Sequence, residues 1–188
     1  MSNVVIRPLE ASDHTDWRGL WTAYLEFYKA TAPEEVYAST WRRLFDPGEF
    51  EPKGFLALVD GKAVGLVHYL YHRSCWSLVN NCYLQDLFAD PSARGSGVGR
   101  ALIEAVQAEA AKIGVANVYW MTHETNETAR KLYDRVAKRT GFIEYDKLPK
   151  IQVRPACKWR FSPLPVLTYP KVRSAPVLET HHFRLGLT

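Results

Sequence analysis

Cysteine is scarce. Three residues of 188, Cys75, Cys82 and Cys157, make an odd number without C-x-x-C spacing, which argues against both a disulfide framework and a zinc cage. No apolar run approaches the roughly 20 residues a bilayer span needs. The opening MSNVVIRPLE lacks a basic start, an apolar stretch and a small-residue cleavage site, so a cytoplasmic protein is expected. The net charge of +4 is too small and too dispersed for a nucleic-acid partner. A nucleotide P-loop is excluded, because G-x-x-x-x-G-K-[ST] is missing. A dinucleotide fingerprint is excluded as well, since Leu102 stands where the third glycine of G-x-G-x-x-G belongs. No carboxylate or third ligand joins His68 and His72, nor His181 and His182, so no metal site is expected.

The composition, 47% hydrophobic and 23% charged, is that of a folded domain. Asn3–Leu9 alternates as a strand. Trp17, Leu20, Trp21, Tyr24, Leu25 and Tyr28 recur at helical spacing, predicting a helix over Asp13–Ala30 capped by Ser12 or Asp13, and a second helix covers Glu34–Phe45 behind Pro33. GFLALVD and KAVGLVHYLYH flank Asp60-Gly61, a hairpin signal. NCYLQDLFAD reads as the next strand, then a helix over about Gly97–Ile113 with Gly114 as its stop. VANVYWMT is a further strand, Thr125–Thr140 a helix closed by Gly141, and FIEYDK and KIQVR final strands. The order β-α-α-β-β-β-α-β-α-β implies an α/β fold, a mixed sheet of six to seven strands flanked by helices. Residues 1–150 form the domain. Residues 151–188 hold the last strand and a proline-rich tail without sustained period.

The stretch RGSGVGR, Arg94 to Arg100, joins a strand to a helix. The first N–H groups of a helix have no internal partner and converge, with the helix dipole, on one point. Glycine lets that backbone approach an oxygen without an intervening Cβ. Strand, glycine turn and helix start therefore make an anion site for phosphate oxygens, and Arg94 and Arg100 add attraction.

Arg94, Gly97 and Gly99, read as R-x-x-G-x-G after YLQDLFADPSA, resemble the coenzyme A diphosphate loop of the GCN5-related N-acetyltransferase (GNAT) superfamily. The stretch YWMTHETNETARKLYDRVAKRTGF, Tyr119 to Phe142, resembles the following strand and helix, and the likeness spans residues 3–148. Its subgroup is similar to the yeast enzymes that acetylate histones, polyamines and D-amino acids. The resemblance implies acetyl-CoA as acetyl donor and a small primary amine as acceptor, with protein acetylation or a silent acyl-CoA-binding domain as alternatives.

The resemblance also implies roles. Leu87, Phe88, Ala89, Arg94, Gly95, Ser96, Gly97, Val98, Gly99, Arg100, Asn126, Ala129 and Tyr133 contact the coenzyme. The Phe88 N–H holds the acyl oxygen, Asn126 the pantetheine arm, and Tyr133 is the general acid at sulfur. Polyamine acetyltransferases carry Glu-Asp where this chain has Gln85-Asp86. Gln85 cannot accept a proton, which leaves Asp86 as base, directly or through water, with His123 and Glu124 behind it. Candidate acceptor contacts are Tyr24, Tyr28, Trp76, Gln85 and Asp86, with Phe27, Glu34, Glu35, His72 and Arg73 nearby in sequence. A homodimer is expected.

Overall fold

Asp60 and Gly61 both take positive φ, 50° and 79°, the backbone of a two-residue turn whose twist suits the flanking strands. They join β2 (Lys53–Val59) to β3 (Lys62–His72) in an antiparallel pair. Around this hairpin the sheet grows by β1 (Val4–Pro8) beside β2, β4 (Asn81–Ala89) antiparallel to β3, and β5 (Val118–Tyr119) parallel to β4, in the order β1-β2-β3-β4-β5. The computed structural model describes residues 3–147. Its helices and strands all lie in a compact unit of residues 1–141; of the second unit, 142–188, only residues 142–147 are described.

Helices cover both faces of the sheet. Helix α1 (His14–Phe27) and α2 (Glu34–Arg43) place Trp17, Leu20, Trp21 and Tyr37 over Leu56, Leu66 and Phe88. Helix α3 (Val98–Lys112) buries Val98, Leu102, Ile103, Val106 and Ala110 against the opposite face, with Leu132, Tyr133 and Val136 of α4 (Glu127–Val136) packed beside them. Each large apolar side chain so buried contributes about 1.5–3 kcal/mol. This is the expected α/β architecture. Among the described residues no helix is long and apolar enough to cross a membrane.

Two irregularities shape the sheet. The register of β3 on β4 shifts between His68 and Tyr69, where Asp86 faces His68 but Leu84 faces Tyr69, leaving Gln85 as the extra residue. A bulge of this kind flips the parity of the strand. Cys82 and Leu84 therefore face α3, whereas Phe88 faces α1. A similar shift between Ala57 and Leu58 leaves Val64 of β3 as an extra residue opposite β2.

Several expectations need correction. Asp13 stands at the N-cap of α1 without capping it; its carboxylate instead takes two bonds from Arg7, at 2.6 and 2.7 Å, and one from the Glu10 N–H. Among the described residues, the strand expected over VANVYWMT pairs only at Val118 and Tyr119. Helix α4 ends at Val136, because Ala137-Lys138-Arg139-Thr140 supplies no further large apolar residue to its inner face. Residues 142–147, FIEYDK, form no strand among the described residues. KIQVR, the 150/151 boundary and the proline-rich tail lie outside the described residues.

Candidate active site

Strands β4 and β5 pair at Cys82–Val118 and Tyr83–Tyr119 only. Beyond that point they diverge, and the β4 edge from Leu84 to Ala89 lies open. A cleft follows, lined by Tyr24 and Tyr28 from the end of α1, Leu84, Gln85 and Leu87 from β4, Trp120 and Met121 after β5, and Tyr133 from α4. The bulge exposes Gln85 to this cleft. A larger hollow of about 360 Å³ between α3, residues 115–120 and α4 is lined, among the described residues, by no titratable side chain.

At one end of the divergent edge begins α3. Its first intrahelical bond is Ala101 N–H to Gly97 C=O, which leaves the N–H groups of Val98, Gly99 and Arg100 pointing out of the helix start. Gly97, at φ 85°, adopts left-handed backbone, and a Cβ there would project into open space rather than protein. The cradle is thus one that a side chain would fill. Gly99 has another reason to lack a side chain: its Cβ would meet Leu132 Cδ2 at 3.1 Å, where α3 and α4 approach. Arg94 and Arg100 are exposed, Val98 is buried, and the Ser96 hydroxyl donates to the Ala93 carbonyl.

Tyr133 is half-buried against Trp120, ring centroids 5.4 Å apart. Burial, reinforced by neighbouring Tyr28, pushes its phenol up to about 12. Asn126 caps α4, its side-chain oxygen accepting from the Ala129 N–H at 3.3 Å and its amide donating to Thr122. Two helical turns, ~10 Å, separate it from Tyr133. Asp86 faces α1 rather than the cleft floor, with Oδ2 at 2.9 Å from His68 Nδ1. It neighbours Tyr24, whose phenol is pushed far up by burial and then by the Asp86 charge and hydrogen bond.

The sequence model of the acetyltransferase (GNAT) family covers residues 17–137. The chain belongs to that family. It is an N-acetyltransferase, with acetyl-CoA as cosubstrate, and the open Gly97 cradle fits a coenzyme diphosphate. D-amino-acid N-acetyltransferase HPA3 of Saccharomyces cerevisiae is 37% identical over 146 residues, 77% of this chain and 90% of its own length. The uncharacterized N-acetyltransferase YhfO of Bacillus subtilis is 27% identical over 142 residues, 74% and 94% of the two chains. Among solved structures, AAC(6')-Iy with a bisubstrate analogue superimposes with TM-score 0.68 at 22% identity, over 79% of this chain and 99% of its own. A ribosomal-protein-alanine N-acetyltransferase from Brucella melitensis gives 0.64 at 22%, over 78% and 99%. These likenesses establish the fold.

Against the GNAT expectations, one backbone donor moves. The Asp90 N–H donates to the Val64 carbonyl at 2.7 Å, and Phe88 lies opposite Leu66. Successive amides of a strand point alternately to its two sides, so the Phe88 N–H, two residues back, also faces β3. The amides turned to the open edge belong to Leu87 and Ala89. Trp76 is displaced too: at 92% exposed in the β3–β4 loop, it lies outside the cleft. Phe27 is likewise exposed, Glu34 is held by Arg18 at 2.9 and 2.7 Å, and Arg73 pairs with Glu49. His72 bonds the Tyr119 hydroxyl at 2.9 Å, and His123 and Glu124 occupy an exposed turn. Sequence reasoning named Leu87 but missed the parity flip, and with it that the open edge takes the Leu87 amide in place of that of Phe88, as well as the partners of Asp86.

Proposed function

We propose that this acetyltransferase transfers the acetyl group to the primary amine of a small molecule, an amino acid or polyamine in size. The observation that carries the reading is the cleft beside the β4 edge. It brings Tyr133 from α4, the bulged Gln85 and Tyr24 from α1 around one opening, with Asp86 behind Tyr24. The similarity to a yeast enzyme named for D-amino acids supports an amino acid as acceptor. A cytoplasmic homodimer belongs to the same proposal.

Acetyl-CoA supplies the activated acyl group and a thiol leaving group. The amides of Val98, Gly99 and Arg100, with Arg94 and the Arg100 side chain outside them, are the groups to hold its diphosphate. The Leu87 amide is the donor at the open edge for an acyl oxygen, a preorganised role of the oxyanion-hole kind. Tyr133 carries its proton at neutral pH. At about 12 it is a weaker acid than an ordinary thiol near 8.5, so it acts on sulfur by donating a hydrogen bond more than by complete transfer.

An alkylammonium near 10.4 must lose its proton first, which costs about 4–5 kcal/mol at pH 7. Asp86 is the acceptor for that proton, directly or through Tyr24 or water. Tyr24 and Tyr28 supply aromatic walls, suited to a cationic amine before it deprotonates. Thiol release from acetyl-CoA against a panel of D- and L-amino acids, polyamines and basic peptides tests the proposal. Turnover with the small amines is expected; turnover with peptides alone, or binding without turnover, overturns it.

A further inference from the structure

His68 is 2% exposed in the apolar layer under α1, yet both its ring nitrogens are bonded. Trp17 Nε1 donates to His68 Nε2 at 2.9 Å. An indole nitrogen can only donate, so Nε2 must accept and the imidazole proton resides on Nδ1. That N–H points at Asp86 Oδ2, 2.9 Å away. Trp17 is itself 0% exposed and packed by Trp21 and Trp41, ring centroids 5.2 and 4.8 Å away, which fixes the direction of its N–H. The bond from Trp17 also excludes an imidazolium, since a protonated Nε2 has no lone pair to offer. Asp86 therefore meets a neutral donor and not a cation. His68 and Asp86 are cross-strand partners at the bulge that exposes Gln85, so the chain of bonds sits where the sheet opens.

We propose that His68 is a positioning residue for acetyl transfer: held as the Nδ1–H tautomer by Trp17, it fixes the Asp86 carboxylate beneath Tyr24 at the acceptor end of the cleft. The proposal rests on the reading of Asp86 as proton acceptor. One fixed donor on one oxygen selects a single carboxylate rotamer and leaves the remaining lone pairs for Tyr24, which itself lines the cleft. Two substitutions separate the two ends of the imidazole. His68→Asn keeps a donor near the Nδ1 position and loses the acceptor for Trp17. His68→Gln reaches the Nε2 position and loses the donor to Asp86.

The test combines kinetics with nitrogen-15 NMR of the intact wild-type chain, the His68 signal being assigned by its absence from the variants. The wild-type spectrum is expected to show Nδ1 protonated and Nε2 bare at neutral pH; the opposite tautomer or an imidazolium overturns the proposal, whether or not the variants fold. In variants whose melting shows a folded protein, His68→Gln is expected to lower kcat about tenfold or more. KM for acetyl-CoA and for amine stays within about twofold, and His68→Asn retains most of kcat. In an Asp86→Asn background the Gln substitution adds almost nothing, because the two act as one unit. Equal losses in the Asn and Gln variants, or additive losses with Asp86→Asn, overturn it. Full activity in Asp86→Asn overturns the proton-acceptor reading and with it the purpose of the chain; loss there without loss in His68→Gln overturns the present proposal alone.

Discussion

Tyr133 lines the cleft with a hydroxyl that burial holds at about 12, and in the proposed reaction its protonated form is the useful one. Its contribution is therefore present at all lower pH and is lost only as pH rises through about 12. Tyr133→Phe is expected to lower kcat by about 10²-fold while the dissociation constant of acetyl-CoA hardly moves, and the pH profile below pH 10 keeps its shape. An alkaline limb near neutral pH that vanishes in the Phe variant would contradict this. Cys82 gives a second check at the same scale. It is wholly buried beneath α3 with its thiol pushed up to about 12, whereas Cys75 is exposed. Peptide mapping after brief alkylation of the native protein is expected to find Cys75 modified and Cys82 intact; reaction at Cys82 would mean the sheet opens at that strand.

The start of α3 is built from two glycines with different duties, and substitution distinguishes them. Gly97→Ala places a side chain on backbone at φ 85°, which costs about 1–2 kcal/mol of stability, and puts a methyl group into the cradle. Acetyl-CoA binding is expected to weaken more than tenfold while the protein remains folded, as read by calorimetric titration beside a thermal melt. Unchanged affinity would remove the cradle from the binding site. At the other side of the sheet, β1 is tied to α1 by Arg7 on Asp13. The hydrogen bonds from Arg7 hold the Asp13 carboxyl below its ordinary 3.8. A depressed carboxylate stabilises the fold above the unfolded value, and that stability is lost as pH falls through the folded value. Asp13→Asn is thus expected to cost about 1–3 kcal/mol at pH 7 and progressively less below pH 4, measured by urea unfolding. A penalty that stays constant with pH would show that the charge plays no part.

On the scale of the molecule, the order of helices and strands follows from periodicity and from punctuation such as Asp60-Gly61 and Gly114, each of which acts locally. The glycine-started helix α3 and the Asn126-capped helix α4 were legible for the same reason, since both follow from residue type and spacing. What stayed hidden depends on parity and on partners distant in sequence. The bulge at Gln85 leaves YLQDLF without a clean alternation, so the amide facing the open edge could not be told from its neighbour. Trp17 and His68 look like separate core residues until α1 is laid across β3. Nor does VANVYWMT announce that only two of its residues pair; the divergence belongs to β4 and β5 together. The proposed function rests on a single arrangement, in which the front of α3 would hold the diphosphate and the β4–β5 split would receive the acyl group. A crystal structure with coenzyme A bound measures that arrangement most directly. The account predicts diphosphate oxygens within about 3.2 Å of the Val98, Gly99 and Arg100 amides, and the coenzyme sulfur within reach of the Tyr133 hydroxyl. A diphosphate bound away from the helix start, or a sulfur on the far side of the sheet from Tyr133, would contradict it.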